Sequence, residues 1–278
     1  MGSSCKRFFQ KIVVGNHNWF LLKPFIYLAQ RIIASRVNFI SRKTEDECLS
    51  ICNKLFEKQE VLHGLFVGMN MKGINSTGSN LYSKLLGCYE QLVMNEVEVM
   101  LNKKKYENFI NIGCDEGSYA VGIARIFPSM NIYTFDCNKM AQTQCVKLAN
   151  LNFVKNKFII NGCFDVKKIE IGDTNKVTLF LADCEGCENE IFTKEMIATF
   201  VKADYIIELH YENLPNLLEK LNFNFCETHN VKLLTAKSDF EIIKQNNFSE
   251  LAGLSFEQKK YILAERSYYT QWIIATCK

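Results

Sequence analysis

The sequence predicts an α/β fold, a mostly parallel sheet with helices on both faces, preceded by a helical extension. Three observations predict it. Short apolar runs begin near residues 108, 131, 157, 178 and 204. Helical patterns lie in most of the gaps between them. The chain that follows the runs is polar and acidic, as the carboxyl ends of strands around a ligand crevice are. Regular strand–helix alternation builds parallel sheets whose faces are covered.

Composition narrows the class. A chain of 278 residues with 48% apolar content buries a good-sized core and is not disordered. Its 33 basic and 30 acidic residues leave a net charge of +3, too balanced for a dedicated nucleic-acid binder. The balance hides an asymmetry: residues 1–44 hold eight Lys or Arg and no Asp or Glu. Twelve scattered cysteines, several inside apolar runs, read as free thiols in a reducing cytosol, hence a cytoplasmic protein.

In chain order, residues 1–44 form a basic amphipathic segment. Its start, Met1-Gly2-Ser3-Ser4-Cys5-Lys6, approaches a lipidation signal but has Lys6 where Ser or Thr is preferred. Pro24 suits the first turn of a helix, after which Phe25, Leu28, Ile32, Ile33, Val37 and Ile40 recur at helical spacing. Such a helix either lies on an anionic membrane surface or packs on protein. Residues 45–105 read as a helical extension: a helix over 45–63, a polar glycine-rich loop from Gly68 to Asn80, and a helix over about 84–102. Tyr89 and Glu90 in it are placed to close over a ligand. Residues 106–278 carry the alternating pattern. The strands are Phe109–Ile112, Asn131–Phe135, Lys157–Ile160, Val177–Leu181 and Tyr205–Leu209, and they are apolar enough to be buried on both faces. The helices are Ser118–Ile126, Met140–Leu151, Glu188–Val201 and Pro215–Leu221.

The first strand ends in Asn111-Ile112-Gly113-Cys114-Asp115-Glu116-Gly117-Ser118. Two glycines let a ligand approach the backbone closely, but two of the three glycines of the dinucleotide fingerprint are missing. A pyrophosphate here would meet Asp115 and Glu116, and like charges in a partly buried site repel. A cationic nucleoside would not. Nineteen residues beyond Gly117, Asp136 ends the second strand, where a carboxylate accepts both hydroxyls of a ribose.

The stretch Phe109–Tyr119 resembles the first motif of class I S-adenosylmethionine-dependent methyltransferases. Leu181-Ala182-Asp183-Cys184-Glu185-Gly186-Cys187-Glu188 is similar to the D-x-E-G-x-E segment of their FkbM-like branch, and Tyr205–His210 to its next strand. The resemblance covers about 106–278. It implies a Rossmann-like methyltransferase sheet of seven strands, the last antiparallel and supplied by Gln271–Thr276. It also implies S-adenosylmethionine as cofactor and a small-molecule or sugar acceptor methylated on oxygen. Under it, Asn111, Gly113, Asp115 and Gly117 serve the methionine portion and Asp136 the ribose. Cys137, Phe164 and Asp165 flank the adenine. Asn111 stands where the family often has Asp, and Asp115 where many members have Asn or Gly. Those departures leave a second reading, a fold that binds without turnover, and the basic helix of residues 1–44 leaves a third, a membrane-associated interaction protein. Arginine at Gly113 is expected to abolish cofactor binding by filling the turn.

Oxygen methylation needs a proton removed. Asp183, Glu208 and His210 at the sheet edge are the catalytic candidates, His210 because its ordinary pKa is near 6.5. Asp183, Glu185 and Glu188 also suit a divalent cation, although Glu188 equally suits a helix N-terminus, and no metal is assigned. Cys184 and Cys187 are spaced as C-x-x-C without the second pair that a zinc site requires.

Overall fold

The computed structural model describes residues 16–76, 79–154, 158–166, 173–211, 214–265 and 270–278. The Gly2 and Cys5 lipidation signal and Glu212 lie outside the described residues. Contacts divide the chain into two compact units, Met1–Lys54 and Leu55–Lys278.

The first unit is described as one helix, α1 (Asn16–Leu55), with Pro24 inside it. Helix therefore begins before Pro24, and it ends at Leu55 rather than near residue 63. Beyond it, Glu60 and Asn70 pair in an isolated antiparallel bridge, and the following loop leads into α2 (Leu81–Leu86) and α3 (Gln91–Lys103). The single helix expected over 84–102 is thus two. Gly87 breaks it: its φ is +89°, its amide caps the carbonyls of Lys84 and Ser83, and a Cβ there would lie 1.9 Å from the His63 carbonyl oxygen.

The second unit is built on β1 (Asn108–Ile112), β2 (Asn131–Phe135), β3 (Phe158–Asn161), β4 (Thr178–Ala182), β5 (Ala203–Glu208), β6 (His229–Thr235) and β7 (Gln271–Cys277). The sheet order is β3-β2-β1-β4-β5-β7-β6. The β1–β5 ladders are parallel, and β7 runs antiparallel to both β5 and β6. This is the sheet that the sequence resemblance implies. Between the strands run α4 (Ser118–Ile126), α5 (Lys139–Leu151), α6 (Glu188–Ile191), α7 (Lys194–Thr199), α8 (Leu217–Phe225), α9 (Asp239–Gln245) and α10 (Phe256–Leu263). One helix over Glu188–Val201 was expected; Thr193 caps a second start by accepting from the Met196 amide, which splits it.

Alternation along the strands separates two cores. Ile110, Ile112, Phe135, Phe180 and Tyr205 face one layer with Phe192, Leu221 and Phe225. Phe109, Ile132, Leu179, Leu181 and Trp272 face the other with Val93, Val97 and Ile123. β1, β4 and β5 are buried throughout, as their apolar sequences require. β3 is only half-buried at all four positions because it is an edge strand, so the expectation of two covered faces fails there. Chain order reverses between β1 and β4, which opens a crevice beyond their carboxyl ends.

Candidate active site

The crevice is a cleft of about 1990 Å³, lined by the ends of β1–β4 and by Lys84, Tyr89 and Glu90 of the extension. Typical ligand pockets hold roughly 300–1,000 Å³, so the cleft has room for more than one small molecule.

The bend after β1 is fixed by backbone bonds. The Gly113 and Cys114 amides donate to the Phe135 carbonyl, and the Asp183 amide to the Ile112 carbonyl at 2.9 Å. Gly113 has φ +72°, and a Cβ there would lie 1.6 Å from the Asp183 carbonyl oxygen. Gly117, at φ +89°, opens α4 with Cys145 against it, where a Cβ would lie 2.4 Å from Sγ. Both glycines are therefore required by neighbouring protein. Arginine at Gly113 would fill this turn as expected, its Cβ striking the Asp183 carbonyl just beyond β4.

Asp115, in a left-handed conformation at φ +44°, donates its amide to Asp136 Oδ2 at 2.9 Å. Asp136 Oδ1 accepts from the Asn138 amide at 2.8 Å. The Asp136 carboxylate thus braces the bend and keeps a second lone pair on each oxygen. Among the described residues, three of the five non-glycine residues with positive φ, Glu90, Asp115 and Glu185, line the cleft, and such backbones gather where a site is held in shape.

Of the expected cofactor contacts, Gly113, Asp115, Asp136, Cys137, Phe164 and Asp165 all line the cleft. Asn111 does not: it is fully buried and its Nδ2 donates to the Leu181 carbonyl at 3.2 Å, bracing β1 against β4. Gly117 shapes the bend from beneath. Phe164 packs edge-on against Phe135 with ring centroids 5.1 Å apart. Cys137 is disulfide-bonded to Cys163, which joins the loops after β2 and β3 at the cleft wall. The reading of every cysteine as a free thiol is corrected at this pair. Cys184 and Cys187 are unbonded to each other.

Glu116 also departs from expectation. It is completely buried and ion-paired with Lys84, itself only 8% exposed. Burial pushes the Glu116 carboxyl up, but the Lys84 ammonium and hydrogen bonds override it and hold the carboxyl below its ordinary value. Glu116 therefore does not face a ligand. The acidic wall comes instead from Glu90, Asp115, Asp136, Asp165, Asp183, Glu185, Glu190 and Glu195, and among the described residues Lys84, already paired, is the one cation that lines the cleft.

The catalytic candidates are brought together unequally. Asp183 lines the cleft; His210 and Glu208 stand behind it. His210 Nδ1 bonds Glu188 Oε1 at 2.7 Å. Its Nε2 lies 3.5 Å from both Asp183 and Glu185 and 3.9 Å from Glu208. Burial lowers the His210 pKa, but the bond to Glu188 and the surrounding carboxylates outweigh it and raise the pKa above 6.5. The carboxylates around His210 thus favour its protonated form more than an isolated imidazole would. A His with a raised folded-state pKa adds stability that is fully present below its unfolded value and lost as pH rises through the folded one. The melting-temperature gap between wild type and His210→Gln should therefore be widest below about pH 6.5 and narrow as the pH rises above it.

Tyr119 donates its hydroxyl to Glu90 at the cleft roof, and the Glu90 amide donates to Glu265 Oε1 at 3.1 Å. Glu265 lies in a second cavity of about 420 Å³ with Glu90, Asp239 and Trp272. Burial, then repulsion from Glu90, pushes the Glu265 pKa up to about 8. Its ionisation costs the folded state increasingly as pH rises from the ordinary carboxyl range through 8. Glu265→Gln should therefore raise the melting temperature by a few degrees at about pH 9 and leave it unchanged near pH 4, as calorimetry will show.

No family model and no curated protein sequence matches this chain. Among solved structures the chain is similar to the O-methyltransferase TomG from Streptomyces achromogenes in complex with SAM, at 9% identity over 67% of this chain and 80% of that one, TM-score 0.43. It is also similar to a precorrin-6y C5,15-methyltransferase from Geobacter metallireducens GS-15, at 11% identity over 66% and 87%, TM-score 0.41. A third is M. jannaschii TYW2 in complex with AdoMet, at 13% identity over 63% and 70%, TM-score 0.40. The fold assignment rests on the strand order, to which overlaps at this level add nothing.

Proposed function

We propose that the cleft binds S-adenosylmethionine and that the protein transfers its methyl group to an oxygen of a small molecule or sugar, in the manner of the FkbM-like branch that Asp183–Glu188 resembles. The carrying observation is the charge of the walls. Eight carboxylates line the cleft, five of them (Asp115, Asp136, Asp165, Asp183 and Glu185) from the loops after the strands, while its lysine is already neutralised by Glu116. A phosphate-bearing dinucleotide is repelled by such walls, whereas a ligand with a sulfonium and an ammonium is attracted. The carboxylate of Asp136, which lines the cleft, fits the ribose of the same ligand.

Bound S-adenosylmethionine supplies a methyl group made electrophilic by its sulfonium. Gly113 and Asp115 would hold the methionine portion, Asp136 the ribose hydroxyls, and Phe164 with the Cys137–Cys163 bridge the adenine. Asp183, which lines the cleft, would orient the acceptor hydroxyl and take its proton, so that the proton ends on the carboxylate. His210 is a positioning residue: Glu188 fixes its ring, and its Nε2 faces Asp183. Positioning of this kind supplies about 7–11 kcal/mol in favourable cases.

Isothermal titration tests the reading. S-adenosylmethionine should bind and NAD and ATP should not. Asp136→Ala should weaken the cofactor by about 1–3 kcal/mol. Tight NAD binding, or unchanged affinity in the variant, would remove the assignment.

A further inference from the structure

We infer that α1 docks in the plane of an anionic membrane surface. Its residues Phe25, Leu28, Ile32, Ile33, Phe39 and Ile40 are each 50–71% exposed. At about 100° per residue they fall, with Ile26 and Val37, on one arc of roughly 180°. Lys23, Arg31 and Arg42 fall on the opposite arc. An apolar face of that extent, left in water, marks a contact surface.

Three features choose a lipid surface as the occupant. First, the charge is of one sign: between Asn16 and Thr44 the chain has five Lys or Arg and no Asp or Glu. Anionic headgroups complement this. Second, the apolar arc is wider than the two-position seam of a coiled coil, and Arg36 sits at its centre. A charge there disrupts a helix–helix seam, but at a headgroup boundary a long arginine stem lies along apolar surface with its head in water. Third, aromatic rings accompany the cations: Arg31 lies over Tyr27 with 5.8 Å to the ring centroid, and Arg36 over Phe39 with 5.5 Å. Amphipathic rings of this kind favour the interfacial region. The face extends from Phe25 to Ile40, about 22 Å of helix. Among the described residues no helix is long and apolar enough to cross a membrane, so the geometry is that of a helix lying on the surface.

The test is flotation of the full-length protein with vesicles. With vesicles of phosphatidylcholine and about one-third phosphatidylserine at ~0.1 M salt, most of the protein should float, and the bound fraction should fall at least fivefold in ~0.5 M salt or on pure phosphatidylcholine. Leu28→Asp with Ile32→Asp should cut binding at least tenfold. Arg31→Glu with Arg42→Glu should cut it on anionic vesicles. Circular dichroism melting of both variants should match the wild type. Equal flotation on neutral and anionic vesicles, or none on either, overturns the proposal. So does a concentration-dependent dimer, seen by light scattering without vesicles and abolished by the Leu28 and Ile32 substitutions, because the face would then belong to a second copy of the chain.

Discussion

Lys84→Met should destabilise the protein by about 3–5 kcal/mol, because it strands the Glu116 carboxylate in a site with no exposure to water. The pair joins the extension to the sheet: Lys84 comes from α2, and Glu116 from the bend between β1 and α4. Both charges have left water, so the attraction between them offsets a desolvation cost that either alone cannot meet. Glu116 Oε2 has no partner among the described residues, so nothing on its other side replaces the lysine. Lys84→Met combined with Glu116→Gln should recover much of the loss, since a neutral amide tolerates the burial that a carboxylate does not. Denaturant midpoints of the two single variants and the double variant give the coupling directly. A loss below about 1 kcal/mol for Lys84→Met would place the pair with ordinary surface ion pairs and contradict its burial.

The pair also explains what was and was not legible in the sequence. The alternation of apolar runs located β1, β2, β3, β4 and β5 to within two or three residues, because strands covered by helices are largely apolar, whereas β7 was placed only by the family resemblance. β6 was missed for the opposite reason: it is an edge strand whose sequence, His229-Asn230-Val231-Lys232, mixes polar and apolar residues in half-exposed positions. α9 and α10 were missed although a signal was present. Ser238 with Glu241, and Ser255 with Gln258, form capping boxes, and S-x-x-E and S-x-x-Q are readable spacings. The site was legible where a residue's type follows from its backbone, as at Gly113, Gly117 and Asp136. It was not legible where a long-range partner decides. Glu116 reads as part of an acidic wall until Lys84, 32 residues away, is seen to neutralise it. His210 reads as an ordinary imidazole until Glu188 and three further carboxylates surround it.

Gly113→Ala should cost several kcal/mol of stability and abolish cofactor binding with it. A methyl group built at Gly113 meets the Asp183 carbonyl oxygen at 1.6 Å and the Asp183 carbonyl carbon at 2.6 Å. Both are backbone atoms at the end of a central strand, so no side-chain rotation relieves the contact. The left-handed conformation at φ +72° adds about 1–2 kcal/mol for a residue with a Cβ, and overpacking in a tight interior adds about 1–3 kcal/mol more. Relief requires β4 to part from β1, which breaks the bond from the Asp183 amide to the Ile112 carbonyl and carries Asp183 away from the bend. Stability and binding should therefore fall together, unlike a substitution that merely occupied the ligand's space. Gly162→Ala is the control. Gly162 also lines the cleft, yet a Cβ there meets nothing within 4 Å, so its melting temperature should stay within about a degree of wild type. If Gly113→Ala melts like Gly162→Ala and still binds S-adenosylmethionine, the close contact of the two strand ends is not what shapes this cleft.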